Sequence, residues 1–251
     1  MQVISRSVAL ATLFLVAPLA VSAQTAPKAD EIFARHIAAI GGEAAIMQLS
    51  SIKTVGTMQM VSMGITANME AISAAPNLSS MKMTIPGMGQ ISNGYDGTVA
   101  WELNPMQGPR VKTEAERIAA AEQSDFYGGM LFSKSRYQSY ETVGAVDFGG
   151  EKAFKVKTVL KSGRVVNEFF SVATGLKIGS QSTQENAKGT VDVVIVESDY
   201  KQFGPIRLAT KSETLAGATK MLVTISSVDL TTVPESAFAL PESIRALVGK
   251  P

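Results

Sequence analysis

From Ile52 onward, apolar and polar residues alternate with a period of two, and glycine, proline or asparagine signals break the alternation at short intervals. Ile65, Ala67, Met69 and Ala71 fall on one side of such a stretch, with Thr66, Asn68 and Glu70 on the other. Met81-Lys82-Met83-Thr84-Ile85 repeats the pattern, as does Met58-Gln59-Met60. The alternation predicts strands at 52–63, 65–74, 78–85, 90–95 and 98–104, and again at 141–148, 152–161, 165–172, 176–184, 190–201, 206–215 and 220–230. Turns at Gly64, Pro76-Asn77, Pro86-Gly87, Asp96-Gly97, Gly149-Gly150, Ser162-Gly163 and Gly204-Pro205 are short, so neighbours in sequence pair antiparallel.

Helical spacing replaces alternation in two places. Phe33, Ile37 and Ile40 predict a first helix with Asp30 as its N-cap and Gly41-Gly42 as its stop, followed by a short turn over 43–49. Thr113 and Glu116 form a capping-box signature for a second helix to Gln123. The stretch 124–140 then gathers Phe126, Tyr127, Phe132, Tyr137 and Tyr140, a segment suited to plugging the concave side of a sheet. Phe126, Tyr127, Leu131 and Phe132 are its lid or plug candidates. About a dozen strands with a few helices make the fold mainly β, an antiparallel, strongly curved, unclosed β-barrel with helices packed on the concave face.

Seven of the twelve methionines lie between positions 58 and 88. Unbranched, polarizable methionine suits a wall that must fit varied apolar shapes, whereas branched aliphatics with few rotamers fill closed cores. Met58, Met60, Met69, Met81, Met83 and Ile85 are therefore candidate cavity-wall residues for a lipid-like ligand, against the alternative of a Met-rich ordinary core. Trp101 shares parity with Val99 and Leu103, and is either a core anchor or part of the same wall.

Residues 1–23 read as a secretory signal, with Arg6 as the sole charge, an apolar run over 8–16 and Val21-Ser22-Ala23 as the cleavage site; an uncleaved anchor is the alternative. Signal removal leaves 22 basic against 22 acidic residues, a balance that offers nothing to nucleic acid. Residues 24–251 suffice for one domain, and no linker composition divides them. Cysteine is absent, so an exported chain would be held by its core rather than by disulfides. The expected location is secreted, most naturally periplasmic.

Catalytic chemistry finds few candidates. His36 is the only histidine, which rules out a multi-histidine metal site and leaves one possible base for a triad. Ser79-Ser80-Met81-Lys82 and Ser50-Ser51-Ile52-Lys53 both satisfy Ser-x-x-Lys, but both stand at strand starts, where Ser and Lys do not share a helical turn. The expectation is a non-enzyme without cofactor or metal.

Ala75-Pro76-Asn77-Leu78, Tyr95-Asp96-Gly97-Thr98-Val99-Ala100-Trp101, Asn104-Pro105 and Phe238-Ala239-Leu240-Pro241, with the order of helix, strands, helical plug and strands, resemble the periplasmic outer-membrane lipoprotein carriers and the lipoprotein-sorting (LolA-like) superfamily. The resemblance implies a half-barrel with a helical lid, holding lipids or lipoprotein acyl chains on their way to the outer membrane between a membrane-protein donor and an acceptor. In the best-known carriers an arginine just before Pro-Asn-Leu helps hold the lid shut, and this chain has Ala75, which offers no donor. Two alternatives come from other classes: a sensor or interaction module of the same fold that docks a partner protein, and a small-molecule enzyme on the same scaffold.

Overall fold

One antiparallel sheet of thirteen strands organises the computed structural model, which describes residues 26–186 and 189–249. The expected export signal lies outside the described residues. The first six strands, β1 (Ser51–Met60), β2 (Ile65–Ala74), β3 (Leu78–Ile85), β4 (Gly89–Tyr95), β5 (Ala100–Asn104) and β6 (Gly108–Val111), form a meander. A second meander comprises β7 (Tyr137–Phe148), β8 (Glu151–Leu160), β9 (Val165–Ser171), β10 (Lys177–Asn186), β11 (Gly189–Phe203), β12 (Ile206–Ala216) and β13 (Thr219–Asp229). The two join where β1 pairs with β13, leaving β6 and β7 as free edges, so the barrel is not closed.

Helices α1 (Ala29–Ala39), α2 (Glu43–Met47), α3 (Glu114–Ser124) and α4 (Gly128–Leu131) accompany the sheet, and α5 (Glu242–Val248) ends the described chain. Amphipathic α1 buries Ile32 and Phe33 against Val156, Val166 and Phe170, residues that share the inner face of β8 and β9. Its backbone is tied to β12 where the Arg207 N–H donates to the Ile40 carbonyl at 2.8 Å. Lys28 is the N-cap residue and makes no side-chain cap bond. Asp30, expected at the cap, sits inside the first turn, where its carboxylate accepts from the Tyr140 hydroxyl at 2.7 Å and pairs with Lys134 at 3.0 Å. At α3 the capping box forms as read: Thr113 Oγ1 accepts from the Glu116 N–H at 3.4 Å, and Glu116 Oε2 accepts from the Thr113 N–H at 2.9 Å.

Strand β6 and helix α5 were not legible in the alternation. The turn at Glu235–Phe238 lies against β3 and α5 lies against β6, with Phe238 and Ile244 buried.

Candidate functional site

Directly paired residues of an antiparallel sheet share a face, so register decides which methionines meet. Met58 pairs with Ala67, Met60 with Ile65, Met69 with Met83 and Ala71 with Met81. Across the seam Met58 pairs with Val223 and Met60 with Met221. Met58, Met60, Met69, Met81 and Met83 therefore share the inner face, and alternation adds Ile85 to it. Met69 and Ile85 are buried there, while Met58, Met60, Met81 and Met83 are half-exposed. Helix α3 covers only one end of this half, where Ser79 Oγ and Ser124 Oγ hydrogen-bond at 2.7 Å. The trough continues toward the second meander as a recess of about 370 Å³ lined by Ile52, Thr54, Met130, Leu208, Val223 and Ile225, among others.

Trp101 does not belong to this wall. It pairs with Gly94, which pairs with Ser80, on the face opposite Met81 and Met83. A Cβ at Gly94 would stand 2.8 Å from the indole ring, so glycine there lets the ring lie flat over the neighbouring strand. Trp101 is a buried anchor of the outer side.

The aromatic segment fills the inner face of the other half and splits between two clusters. Phe126 is buried with Ile40, Ile46, Leu49, Leu176 and Ile206, and Leu131 packs beside them. The Tyr127 hydroxyl donates to the Leu49 carbonyl at 2.8 Å. Phe132 enters the other cluster, beneath α1 with Val156, Val166 and Phe170, and stacks on Phe33 with ring centroids 4.7 Å apart. To reach it the backbone at Phe132 adopts φ 50°, a left-handed conformation that a bulky side chain tolerates only where packing demands it.

Ala75 contributes no donor to this segment, which is held from elsewhere. The Phe126 N–H donates to the Pro76 carbonyl at 3.0 Å, and Arg136 donates to Asp125 Oδ2 at 2.8 Å and to the Glu122 carbonyl at 3.2 Å. Arg164 adds an ion pair to Glu122 at 3.0 Å. A Cβ at Gly128 would overlap the Arg136 guanidinium, so glycine is the residue that admits the clamp. Sequence reading did not single out Arg136, because nothing in its local pattern marks it.

A buried charged cluster was also missed. Lys177 Nζ lies 3.3 Å from Glu168 Oε2 and 3.2 Å from Glu197 Oε1, on the adjacent strands β10, β9 and β11. Burial opposes the Lys177 charge, but Glu168 and Glu197 outweigh it and hold its pKa above the usual lysine value. Glu168 Oε2 is within ion-pair distance yet has no hydrogen-bond donor aligned on it. Tyr200 donates to the Lys177 carbonyl at 2.7 Å. A smaller recess of about 250 Å³ at this cluster shares Met130, Glu197 and Leu208 with the apolar one. The available signal was parity: Glu168 alternates with Val166 and Phe170, and Glu197 with Val193 and Ile195, so each carboxylate occupies an apolar position.

His36 is buried and structural in its contacts. Its Nδ1 accepts from the Lys177 N–H at 3.0 Å, and Phe132 and Phe170 stand edge-on with ring centroids 5.5 Å away. Burial first, then the Lys177 charge, lower its pKa to about 4. Neither Ser-x-x-Lys pair comes together. Ser79 faces inward to Ser124, whereas Lys82 pairs with Glu70 on the outer face, and Ser50 bonds Thr232 while Lys53 pairs with Glu70. Among the described residues no group of three metal-ligating side chains converges.

No family model matches the sequence, and no curated protein is recognisably similar to it. Solved structures do share its fold. A DUF1329 family protein from Desulfovibrio piger superposes with a TM-score of 0.60 at 10% identity, over 84% of this chain and 96% of that one. A LolA superfamily protein from Nitrosomonas europaea gives 0.56 at 10% identity, over 86% and 99%. A putative outer membrane lipoprotein-sorting protein domain from Vibrio parahaemolyticus gives 0.53 at 15% identity, over 83% and 94%. At such identities the likeness is one of fold.

Proposed function

We propose that this chain uses the half-barrel it shares with LolA superfamily proteins to hold lipid or lipoprotein acyl chains, as a non-catalytic binder or carrier. The observation that carries the reading is the partly open inner face, where half-exposed Met58, Met60, Met81 and Met83 lie beside buried Met69 and Ile85 and run into the recess under Met130. The mechanism is physical. Each methylene moved from water into the trough contributes about 0.8 kcal/mol, so a palmitoyl chain offers on the order of 10 kcal/mol before the cost of ordering it. Flexible methionines let one wall accept chains of differing length and unsaturation.

The aromatic segment around Phe126, Tyr127, Leu131 and Phe132 acts as a fixed plug at the inner end of the trough, clamped by Arg136 rather than by a residue at position 75. His36, neutral and spent on a backbone N–H, supports a non-enzymatic role. The export signal read at residues 1–23 would deliver the chain to the periplasm, where lipid could pass from a membrane donor to an acceptor.

The test is titration with N-phenyl-naphthylamine, whose emission rises in apolar surroundings, followed by displacement with palmitate. Wild type should give saturable, displaceable emission, and Met69→Asp/Met83→Asp should lose it, since two carboxylates in the trough must be desolvated or protonated. Equal titrations for the two proteins would overturn the assignment.

A further inference from the structure

Three neighbouring hairpins end in turns that carry a methionine and no charge: Val61-Ser62-Met63-Gly64 between β1 and β2, Pro86-Gly87-Met88-Gly89 between β3 and β4, and Pro105-Met106-Gln107-Gly108 between β5 and β6. A fourth, Gly217-Ala218 between β12 and β13, follows Leu215. Register puts all four at one end of the sheet. Met60–Ile65, Ile85–Gly89 and Asn104–Gly108 close the first three hairpins, and Met60–Met221 aligns the fourth with them. Consecutive tips are two strands apart, or about 10 Å.

The apolar side chains there are open to solvent: Met63 is 65% exposed, Met88 48% and Met106 80%, with Val61 at 41% and Leu215 at 40%. At each apex there is open space, since a Cβ at Gly64, Gly87 or Gly108 would meet nothing within 4 Å, while the base of the Val61–Met63 turn rests against β13. Turn chemistry asks for Gly, Pro, Asn, Asp or Ser and gives no reason for methionine at an apex. At the other end of the same strands the turns follow the ordinary rule: in Asp96-Gly97-Thr98, Asp96 Oδ1 accepts from the Thr98 and Val99 N–H groups at 2.9 and 2.7 Å.

We propose that this rim is a membrane-contact edge, whose methionine tips insert into the interfacial layer of a lipid bilayer. Separate apolar points on independent hairpins offer a protein partner no continuous face to bury, whereas a fluid bilayer admits each tip on its own. The turns carry no ionised side chain, so insertion to interfacial depth strips no charge of water, and Ser62, Gln107 and the turn amides stay at the hydrated headgroup level. Directly below the tips the inner face begins with Met60, Ile65, Ile85 and Met221, so the apolar surface runs unbroken from rim to trough. With 22 basic against 22 acidic residues after signal removal, the chain offers little net electrostatic attraction, so the contact is apolar and indifferent to lipid charge and salt. The proposal stands on the exposed tips and does not require the trough to hold lipid.

Flotation of the processed chain, residues 24–251, with phosphatidylcholine vesicles on a sucrose gradient tests it, wild type against Met63→Ser/Met88→Ser/Met106→Ser. Because these side chains are exposed, the variant should melt at the wild-type temperature and titrate normally with N-phenyl-naphthylamine, which separates the rim from the trough. The expected result is wild-type binding that changes less than about twofold with salt and falls about tenfold or more in the variant. Three results would overturn it: no flotation of wild type, equal flotation of both proteins, or wild-type self-association in sedimentation without vesicles that the variant abolishes, since the tips would then cover a second copy of the chain.

Discussion

The two meanders bury the inner face of one continuous sheet in opposite ways. On β8 and β9, Val156, Val166 and Phe170 are sealed beneath Phe33 and Phe132, and the rings of Phe33, Phe132, Phe170 and His36 lock edge to face or in stacks. On β1 to β3, Met58, Met60, Met81 and Met83 stay half-exposed, with α3 reaching only one end. The filled half uses residues with few rotamers, and packing of that kind specifies a single arrangement. The open half uses a side chain with three rotatable bonds, which accepts many arrangements and specifies none. A sheet of uniform alternation is thus divided into a sealed half and an open half by side-chain stiffness and by where the helices land.

The division can be broken or sharpened by substitution. The largest effect is expected at Phe170, fully buried in the sealed cluster, where Phe170→Ala should lower stability by about 3–5 kcal/mol in urea denaturation. A loss near 1 kcal/mol would mean that this half is not the one that holds the fold.

A smaller effect belongs to His36, which couples α1 to β10. Its neutral form is favoured in the fold, with a pKa of about 4 against an ordinary 6.5, so as pH falls the unfolded chain takes up the proton first. Stability present above pH 6.5 is therefore lost progressively toward pH 4, by about 1 kcal/mol per unit at the steepest. Glu116 acts in a lower window: hydrogen bonds from Arg110, then the Thr113 N–H, hold its pKa to about 2, so its contribution fades only below its ordinary 4.5. Denaturation between pH 6.5 and 4.5 isolates the histidine, the only one in the chain, and His36→Gln should flatten the slope there. An unchanged slope would remove His36 from the account.

The smallest effect is expected in the open half. Met83→Ala should cost about 1 kcal/mol or less, because a half-exposed side chain leaves no sealed cavity behind. A loss matching that of Phe170→Ala would turn the methionine wall into an ordinary core.

Much of this division was legible in the sequence, because alternation and turn residues act locally. Strands β2 and β3 fall where the pattern puts them, and the unclosed, mainly β architecture follows from the strand count and short turns. Strand β6 escaped because its four residues open on Gly108 and Pro109 and show no alternation, and proline is admitted there only at a sheet edge. Helix α5 is short and opens after Pro241 without a side-chain cap. Parity within one strand assigns partners to Trp101 but not a face, since the face depends on register across the Asp96–Val99 turn. The cluster of Lys177, Glu168 and Glu197 draws on three strands, and so it becomes visible only once β9, β10 and β11 are aligned.

The most direct test of the proposed lipid site in the open half is native mass spectrometry, with solvent extraction, of the protein purified without detergent. Wild type should carry added mass that extraction resolves into acyl lipids, and Met69→Asp/Met83→Asp should not. A bare polypeptide mass for wild type, or the same adducts on the double variant, would contradict the claim that the open trough is a lipid site.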